Sequence, residues 1–166
     1  MMHKNVQTFL ACDNEYTTSD IVMFGVPFDG TTSFRPGTRF GPSAIRNESF
    51  GIETYSPYSD RDLVDGRIFD GGDLELPFGN VEKVLERTQN YVAKILADGK
   101  QFVMLGGEHL ITLGAMRAVA ERYPDVHVIH LDAHTDLRTE YLGETLSHAT
   151  VIKQVWNLLG DGRIHQ

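Results

Sequence analysis

The sequence predicts an α/β protein with three layers, in which helices cover both faces of a parallel sheet. Two observations support this prediction. Short apolar segments alternate with longer segments of helical periodicity along most of the 166 residues. Each apolar segment also ends in glycine-rich or polar turn residues. Right-handed crossovers between parallel strands place the intervening helices on both faces. The sequence contains no internal repeat, low-complexity tract or interdomain linker.

Apolar character and β-branched residues predict four strands, and these comprise residues 21–26, 67–69, 101–105 and 127–131. The terminal residues 163–166, RIHQ, could begin another strand. After the second strand, Gly71, Gly72 and Asp73 are predicted to form a plain turn, because the phosphate-loop pattern is absent.

Helical spacing of apolar residues predicts three helices. The first has Asn80 as its N-cap and Gly99 as its stop signal, and its repeating residues are Val81, Val84, Leu85, Thr88, Val92, Ile95 and Leu96. The second covers residues 110–122 before Pro124, and its members predicted to pack on the sheet are Leu110, Leu113, Ala118 and Val119. The third covers residues 147–159, and its predicted core stripe is Val151, Ile152, Val155, Trp156 and Leu159.

Composition excludes several classes of protein. The formal net charge of -8 argues against a nucleic-acid partner and mildly favours a cationic substrate. A transmembrane span is absent, and the first 16 residues lack an apolar core long enough for a signal peptide. We therefore expect a cytoplasmic protein. The single cysteine, Cys12, excludes an internal disulfide framework and is expected to be an incidental thiol.

The segment HVIHLDAHTDLR, residues 127–138, carries candidate metal ligands at every second position. Because side chains alternate along a strand, Asp132 and His134 are expected to project together, and Asp136 follows where the chain turns into a loop. Carboxylates and a neutral imidazole suit hard to borderline divalent ions such as Mn²⁺. The alternative is that these residues are solvated loop groups or helix caps.

A second segment strengthens the metal interpretation. The apolar run 102–105 reaches Gly106, Gly107, Glu108 and His109 and then continues into a helical pattern. Ligands collect beyond the carboxyl ends of parallel strands, so His109 and the Asp132 group are predicted to share one edge of the sheet. Two neighbouring strands would then point toward one site.

These motifs resemble those of the ureohydrolases, the family of arginase and agmatinase. The family's Gly-Gly-Asp/Glu-His motif matches residues 106–109, and its Asp-Ala-His-x-Asp motif matches residues 132–136. The run GVPFDGTTSFRPGTRFGPSAIR, residues 25–46, is similar to the family's N-terminal signature. The segment DLRTEYLGETLSHAT resembles bacterial agmatinases more than arginases, which have an asparagine at the position of Arg138 and use it to bind the substrate's α-carboxylate.

The resemblance implies an arginase-like fold and two Mn²⁺ ions. One ion would be held by His109 and Asp136 and the other by His134, with Asp132 bridging them. The reaction implied is hydrolysis of a small cationic guanidino substrate, agmatine to putrescine and urea, through a metal-bridging hydroxide. His148 falls where the family keeps a histidine that is proposed to move a proton or contact the substrate. Family members assemble as trimers or hexamers, so a homo-oligomer is expected.

The resemblance covers the front part of the family pattern. A later Ser-x-Asp-x-Asp-x-x-Asp-Pro segment, whose carboxylates complete the family's site, does not occur in residues 1–166. These residues are therefore predicted to be the N-terminal portion of a single ureohydrolase domain, with little or no hydrolase activity alone. Three alternatives stay open: an agmatinase-like enzyme completed by further sequence, a non-catalytic fragment that binds metal weakly or joins a full-length subunit, and an arginase or other guanidino-acid ureohydrolase.

Other polar residues receive structural predictions. His130 is expected to be a hydrogen-bonded core residue, and His127 and His165 are expected at the surface or a sheet edge. Charged residues of the N-terminal signature are expected to organise loops and subunit contacts, and these are Asp29, Arg35 and Arg46. Tyr141 and Glu144 could line a substrate channel or be solvated loop residues.

Overall fold

The structure is a computed structural model that describes residues 7–166. The prediction that no signal peptide is present lies partly outside the described residues. The strands are β1 (Ile21–Val26), β2 (Tyr55–Ser56), β3 (Arg61–Asp62), β4 (Ile68–Asp73), β5 (Gln101–Gly106), β6 (Val128–Ile129) and β7 (Ile164–His165). The helices are α1 (Gly41–Ser49), α2 (Val81–Ala97), α3 (Ile111–Arg122) and α4 (Val151–Leu159).

A parallel sheet with the order β4-β1-β5 forms the centre of the fold, as the sequence predicts. Ile21 pairs with Ile68 on one side and with Gln101 on the other. The turn predicted for Gly71, Gly72 and Asp73 is wrong, because these residues extend β4, where Asp73 pairs with Gly25 across a register shift. Pairing with β1 thus overrides the turn preference of the two glycines.

Helices cover both faces of β1, which explains why almost the whole strand is buried. On one face, Val22, Phe24 and Val26 share a core cluster with residues of α2 and α3. The opposite face meets α1, since a Cβ atom on Gly25 would lie 2.8 Å from Pro42 Cβ. This arrangement gives the predicted layers of helix, sheet and helix.

The helices begin near the predicted residues, with one clear shift. The Asn80 side chain accepts a hydrogen bond from Lys83 N at 2.9 Å and caps α2 as predicted. In contrast, α4 begins at Val151 rather than at Ser147. The Thr150 hydroxyl accepts a hydrogen bond from Ser147 N at 2.9 Å, so the chain forms a side-chain-stabilised turn before the helix starts.

The second core cluster lies between helices. Leu110 and Leu113 were predicted to pack on the sheet, but they pack with residues of α4. Val151, Ile152 and Val155 are buried there and Leu159 packs against them, as predicted, but Trp156 is exposed and does not belong to the core stripe. No helix within residues 7–166 is both long enough and apolar enough to cross a membrane.

The predicted strand 127–131 is shorter than expected, because only Val128–Ile129 form β6. It pairs in parallel with β7, which confirms the extra strand predicted from RIHQ. Among residues 7–166, β6 is not hydrogen-bonded to β5, so the two metal motifs do not follow neighbouring strands of one sheet. The motifs nevertheless meet in space.

A buried ion network joins α1 to β4. Arg46 is 3% exposed, and its guanidinium donates to both carboxylate oxygens of Asp70, at 2.7 and 2.9 Å. It also donates to Asp73 Oδ1 at 2.5 Å and to the carbonyl of Gly72 at 3.1 Å. Arg46 therefore fixes α1 against β4, whereas the sequence predicts that it organises loops and subunit contacts.

Candidate metal centre

The first half of the centre depends on a close backbone approach after β5. A Cβ atom on Gly107 would lie 2.4 Å from the carbonyl oxygen of Phe28 and 2.5 Å from that of Val26. Only glycine fits such a contact without moving the backbone. Gly107 thus allows the segment that carries Glu108 and His109 to pack directly against the end of β1.

His109 meets the carboxylates of the second motif, as the sequence predicts. Its Nδ1 atom lies 2.7 Å from Asp136 Oδ2 and 3.7 Å from Asp132 Oδ2. Asp136 adopts a left-handed backbone conformation with a φ of 49°, which is uncommon for residues other than glycine but tolerated by aspartate. Its carbonyl accepts a hydrogen bond from Lys153 N at 3.1 Å, which ties this loop to α4.

Asp132 and His134 do not project together from a strand, because the extended backbone ends at Ile129. Instead, Asp132 Oδ1 accepts a hydrogen bond from the His134 backbone N at 2.8 Å. This bond lowers the pKa of Asp132, and the neighbouring imidazoles of His109, His130 and His134 lower it further. The His134 side chain is 81% exposed, and its Nδ1 atom lies 3.3 Å from Asp132 Oδ1.

His130 was expected to be a satisfied core residue, but the structure places it at the cluster. Its ring stacks on His109 with 5.2 Å between the centroids, and its Nε2 atom lies 3.5 Å from Asp132 Oδ2. Nδ1 contacts the Gln166 side-chain nitrogen at 2.8 Å, whereas the buried Nε2 atom has no hydrogen-bond partner within residues 7–166. The only sequence signal for this placement is its position two residues before Asp132.

Four residues therefore offer ligand atoms within 4.8 Å of one another, and they are His109, His130, Asp132 and Asp136. Two imidazoles and two carboxylates form the mixed nitrogen and oxygen set that suits Mn²⁺ and similar ions. The buried His130 Nε2 atom, which has no hydrogen-bond partner among residues 7–166 and lies 3.5 Å from Asp132 Oδ2, is also suited to bind a cation. Of the predicted ligands, His134 is outside this group of four and stands at its exposed edge.

His148 lies beside the cluster at a cavity of about 380 Å³. Asp136, Arg138 and Tyr141 line the same cavity, and the Tyr141 ring contacts His148 edge-on with 5.6 Å between centroids. The Nδ1 atom of His148 lies 2.8 Å from the carbonyl oxygen of Thr31, and its Nε2 atom lies 3.3 Å from Ser33 Oγ. The loop after β1 thus holds this histidine in place.

Glu108, whose side chain the sequence left without a role, binds that loop. It is 4% exposed, and its carboxylate accepts hydrogen bonds from both the backbone N and the hydroxyl of Thr31. Burial raises the pKa of Glu108, whereas the bonds from Thr31 oppose this effect. No sequence pattern identifies Thr31 and Glu108 as partners, because 77 positions separate them.

Asp29 organises the next part of the same loop. It is buried, and its carboxylate accepts hydrogen bonds from Arg39 Nε at 2.7 Å and from Gly37 N at 2.8 Å. The Arg39 guanidinium lowers the pKa of Asp29, and the bond from Gly37 lowers it further. Asp29 therefore has the loop-organising contacts that the sequence predicts.

The substitution Asp29→Asn tests whether the Asp29 carboxylate makes a pH-dependent contribution to folding stability. The pKa of Asp29 is lower in the folded chain than in the unfolded chain, where an aspartate has a pKa of about 3.9. The stability that Asp29 contributes is therefore fully present above about pH 3.9 and is lost as the pH falls through the folded pKa. We expect Asp29→Asn to unfold more easily than the wild type at pH 7, with a gap that shrinks below about pH 4. Urea unfolding at several pH values measures this gap, and a pH-independent difference would contradict the assignment.

The remaining candidates stay outside the centre. The Cys12 thiol is fully buried, and burial raises its pKa to about 11, with Asp70 and Asp13 adding to the effect. Little thiolate is then present at neutral pH, in agreement with an incidental thiol. His127 and His165 stack on each other across β6 and β7 at 5.4 Å, consistent with the predicted edge positions.

Comparison with known proteins agrees with this geometry. The family model described as the arginase family matches residues 19–166. The chain is 47% identical over 159 residues to the agmatinase of Bacillus subtilis, which covers 96% of this chain and 55% of that protein. The agmatine ureohydrolase structure of Thermoplasma volcanium superposes with a TM-score of 0.89 at 36% identity, over 98% of this chain and 56% of that one.

A structure of Trypanosoma cruzi formiminoglutamase, solved with two Mn²⁺ ions, superposes with a TM-score of 0.77 at 25% identity, over 88% of this chain and 51% of that one. The chain thus spans about half the length of the relatives it matches. Both metal motifs and the N-terminal signature lie inside the matched range. The chain belongs to the arginase family.

Proposed function

We propose that this chain carries the front half of an agmatinase-like ureohydrolase site, which hydrolyses a guanidino group to urea and an amine. The observation that carries the proposal is the cluster of His109, His130, Asp132 and Asp136 beside the cavity that contains His148. Its occurrence in a chain 47% identical to a bacterial agmatinase supports agmatine as the substrate. Residues 1–166 are proposed to be the N-terminal portion of one ureohydrolase domain.

The cluster would hold divalent cations, with Mn²⁺ favoured by its ligands and by the manganese-containing relative. His109, Asp132 and Asp136 are proposed as ligands, and His134 at the exposed edge is proposed to bind a second ion. Bound cations at such a cluster supply a hydroxide nucleophile near neutral pH, which the resonance-stabilised guanidinium carbon requires. The cations would also relieve the repulsion between the two neighbouring carboxylates.

His148 is the group of this chain proposed to move the proton. Hydrolysis adds water across the bond between the guanidino carbon and the amine nitrogen, so the departing amine must gain a proton. The His148 Nε2 atom is the ring nitrogen not directed at the Thr31 carbonyl, and the imidazole lines the cavity. His148 is therefore assigned the transfer of this proton: Nε2 accepts it from the attacking water and then donates it to the departing amine.

Although arginases have an asparagine at the position of Arg138, the charge of this arginine favours a second candidate substrate. It lines the cavity, and its guanidinium lies 5.4 Å from the centroid of the Tyr141 ring. A cationic side chain at this position attracts a carboxylate and repels the distal ammonium group of agmatine. A guanidino acid such as guanidinobutyrate or arginine is therefore the alternative to agmatine.

A fusion protein tests both candidates. Residues 1–166 would replace the matching half of the Bacillus subtilis agmatinase, and urea release would be measured with Mn²⁺ and agmatine, guanidinobutyrate or arginine. We expect urea from agmatine in preference to the two acids, and none after His109→Ala in the same fusion. Preference for guanidinobutyrate would favour the guanidino-acid alternative. A folded fusion that binds Mn²⁺ but releases no urea would contradict the proposed function.

A further inference from the structure

Glu108 and Thr31 form a bridge between the first metal motif and His148. Both oxygens of the Glu108 carboxylate bond to Thr31: Oε1 accepts from the backbone N at 2.7 Å, and Oε2 accepts from the hydroxyl. The Glu108 backbone N donates to the Phe28 carbonyl at 2.7 Å. A buried carboxylate is costly unless hydrogen bonds compensate it, so these contacts fix Thr31 with little freedom.

Thr31 in turn makes two contacts with His148. Its hydroxyl oxygen accepts a hydrogen bond from the His148 backbone N at 3.2 Å, and its carbonyl oxygen lies 2.8 Å from His148 Nδ1. The hydroxyl proton is donated to Glu108, so its oxygen is free to accept from His148. One threonine therefore positions both the backbone and the ring of the histidine.

The contact with the carbonyl determines which ring nitrogen carries the proton. A carbonyl oxygen can only accept, so His148 Nδ1 must be the protonated nitrogen of the neutral ring. Nε2 then keeps its lone pair, and the Ser33 hydroxyl at 3.3 Å is placed to donate to it. Neutral histidine without such a contact prefers the opposite tautomer, with the proton on Nε2.

We propose that Glu108 and Thr31 are positioning residues that hold neutral His148 in the Nδ1–H tautomer, in which Nε2 is unprotonated and can accept a proton. The role of His148 in proton transfer rests on the proposed function, whereas the tautomer itself rests only on the contacts of the Glu108–Thr31 bridge. A histidine in the opposite tautomer would present an N–H to the cavity and could not accept a proton there.

Nitrogen NMR of the histidine side chains tests the proposal on the chain itself. At about pH 8.5, where imidazoles are neutral, the two ring nitrogens of His148 should show shifts of the Nδ1–H tautomer. In Thr31→Val, which keeps the shape but loses the hydroxyl, we expect the ratio of Nδ1–H to Nε2–H tautomers to fall by about fivefold, the effect of one ordinary hydrogen bond. Thr31→Ser retains the hydroxyl and should restore the wild-type ratio.

Thr32→Val is the matched control. The Thr32 hydroxyl donates to the Asp29 carbonyl at 3.0 Å, so this variant loses a hydrogen bond of the same loop without affecting the bridge. Its tautomer ratio should equal that of the wild type. A general loosening of the loop would instead shift the ratio in both valine variants, and that result would overturn the proposal. A wild-type His148 mainly in the Nε2–H tautomer would overturn it too.

A second variant covers the case in which Thr31→Val fails to fold. Glu108→Gln keeps the size of the side chain, but its amide nitrogen can only donate and cannot replace the carboxylate oxygen that accepts one of the two hydrogen bonds from Thr31. The variant should therefore shift the His148 tautomer ratio in the same direction. An unchanged ratio in a folded Glu108→Gln chain would contradict the bridge. Because the readout is independent of urea release, failure of the proposed function and failure of this inference are distinguishable.

Discussion

Replacement of Arg46 by methionine is expected to lower the free energy of unfolding by about 3–5 kcal/mol, because it leaves the buried Asp70 carboxylate without its counterion. Arg46 is 3% exposed and bonds to Asp70 and Asp73. Methionine fills part of the same volume but provides no charge. Equilibrium unfolding in urea measures the difference, provided that the variant still folds.

Arg67→Met is the control for this prediction. Arg67 also pairs with an aspartate, Asp20, but the two side chains are 63% and 61% exposed. Such a surface pair contributes only about 0–1 kcal/mol, since water screens it. Similar losses in the two variants would contradict the claim that the buried network fixes α1 on β4.

The second large effect is expected on metal affinity. His109→Ala should weaken Mn²⁺ binding by at least about 100-fold, since loss of even an outer-shell partner costs about 10–100-fold and His109 is a proposed direct ligand. Its Nδ1 atom lies 2.7 Å from Asp136 Oδ2. Electron paramagnetic resonance of free Mn²⁺ during titration measures the affinity.

His127→Ala is the matched control for the metal experiment. His127 is an exposed histidine that contacts His165 rather than the cluster, so its removal should leave the affinity unchanged. His130→Ala separates two interpretations of that residue. A loss comparable to that of His109→Ala would make His130 a ligand, whereas unchanged affinity would leave it as a packing residue. Equal affinity in the wild type and in His109→Ala would contradict the proposed centre.

The sequence predicts the strands and helices in which the spacing of apolar residues matches the residues that the element buries. Strand β1 and helix α2 are apolar with the right period, and Asn80 caps α2 as expected. Helix α1 could not be recognised in this way, because the residues it buries are Pro42, Arg46 and Ser49. A helix that buries an ion pair and a proline has no apolar stripe to detect.

The candidate metal ligands were predicted partly from motifs and partly from an incorrect geometry. His109, Asp132 and Asp136 converge, although the strand that was expected to align them ends at Ile129. The side chain of Asp132 bonds to the His134 backbone, and this local turn breaks the alternation on which the prediction depended. His130 and the Glu108–Thr31 bridge depend on contacts between distant segments, which spacing along the chain cannot reveal.

Anomalous diffraction at the manganese edge tests the central claim most directly, using crystals of the 166-residue chain soaked in MnCl₂. We predict an anomalous peak within coordination distance of His109, Asp132 and Asp136, and its loss in crystals of His109→Ala. A peak at another place on the chain, or none at these residues in crystals whose manganese content is otherwise confirmed, would contradict the assignment of this cluster as the metal centre.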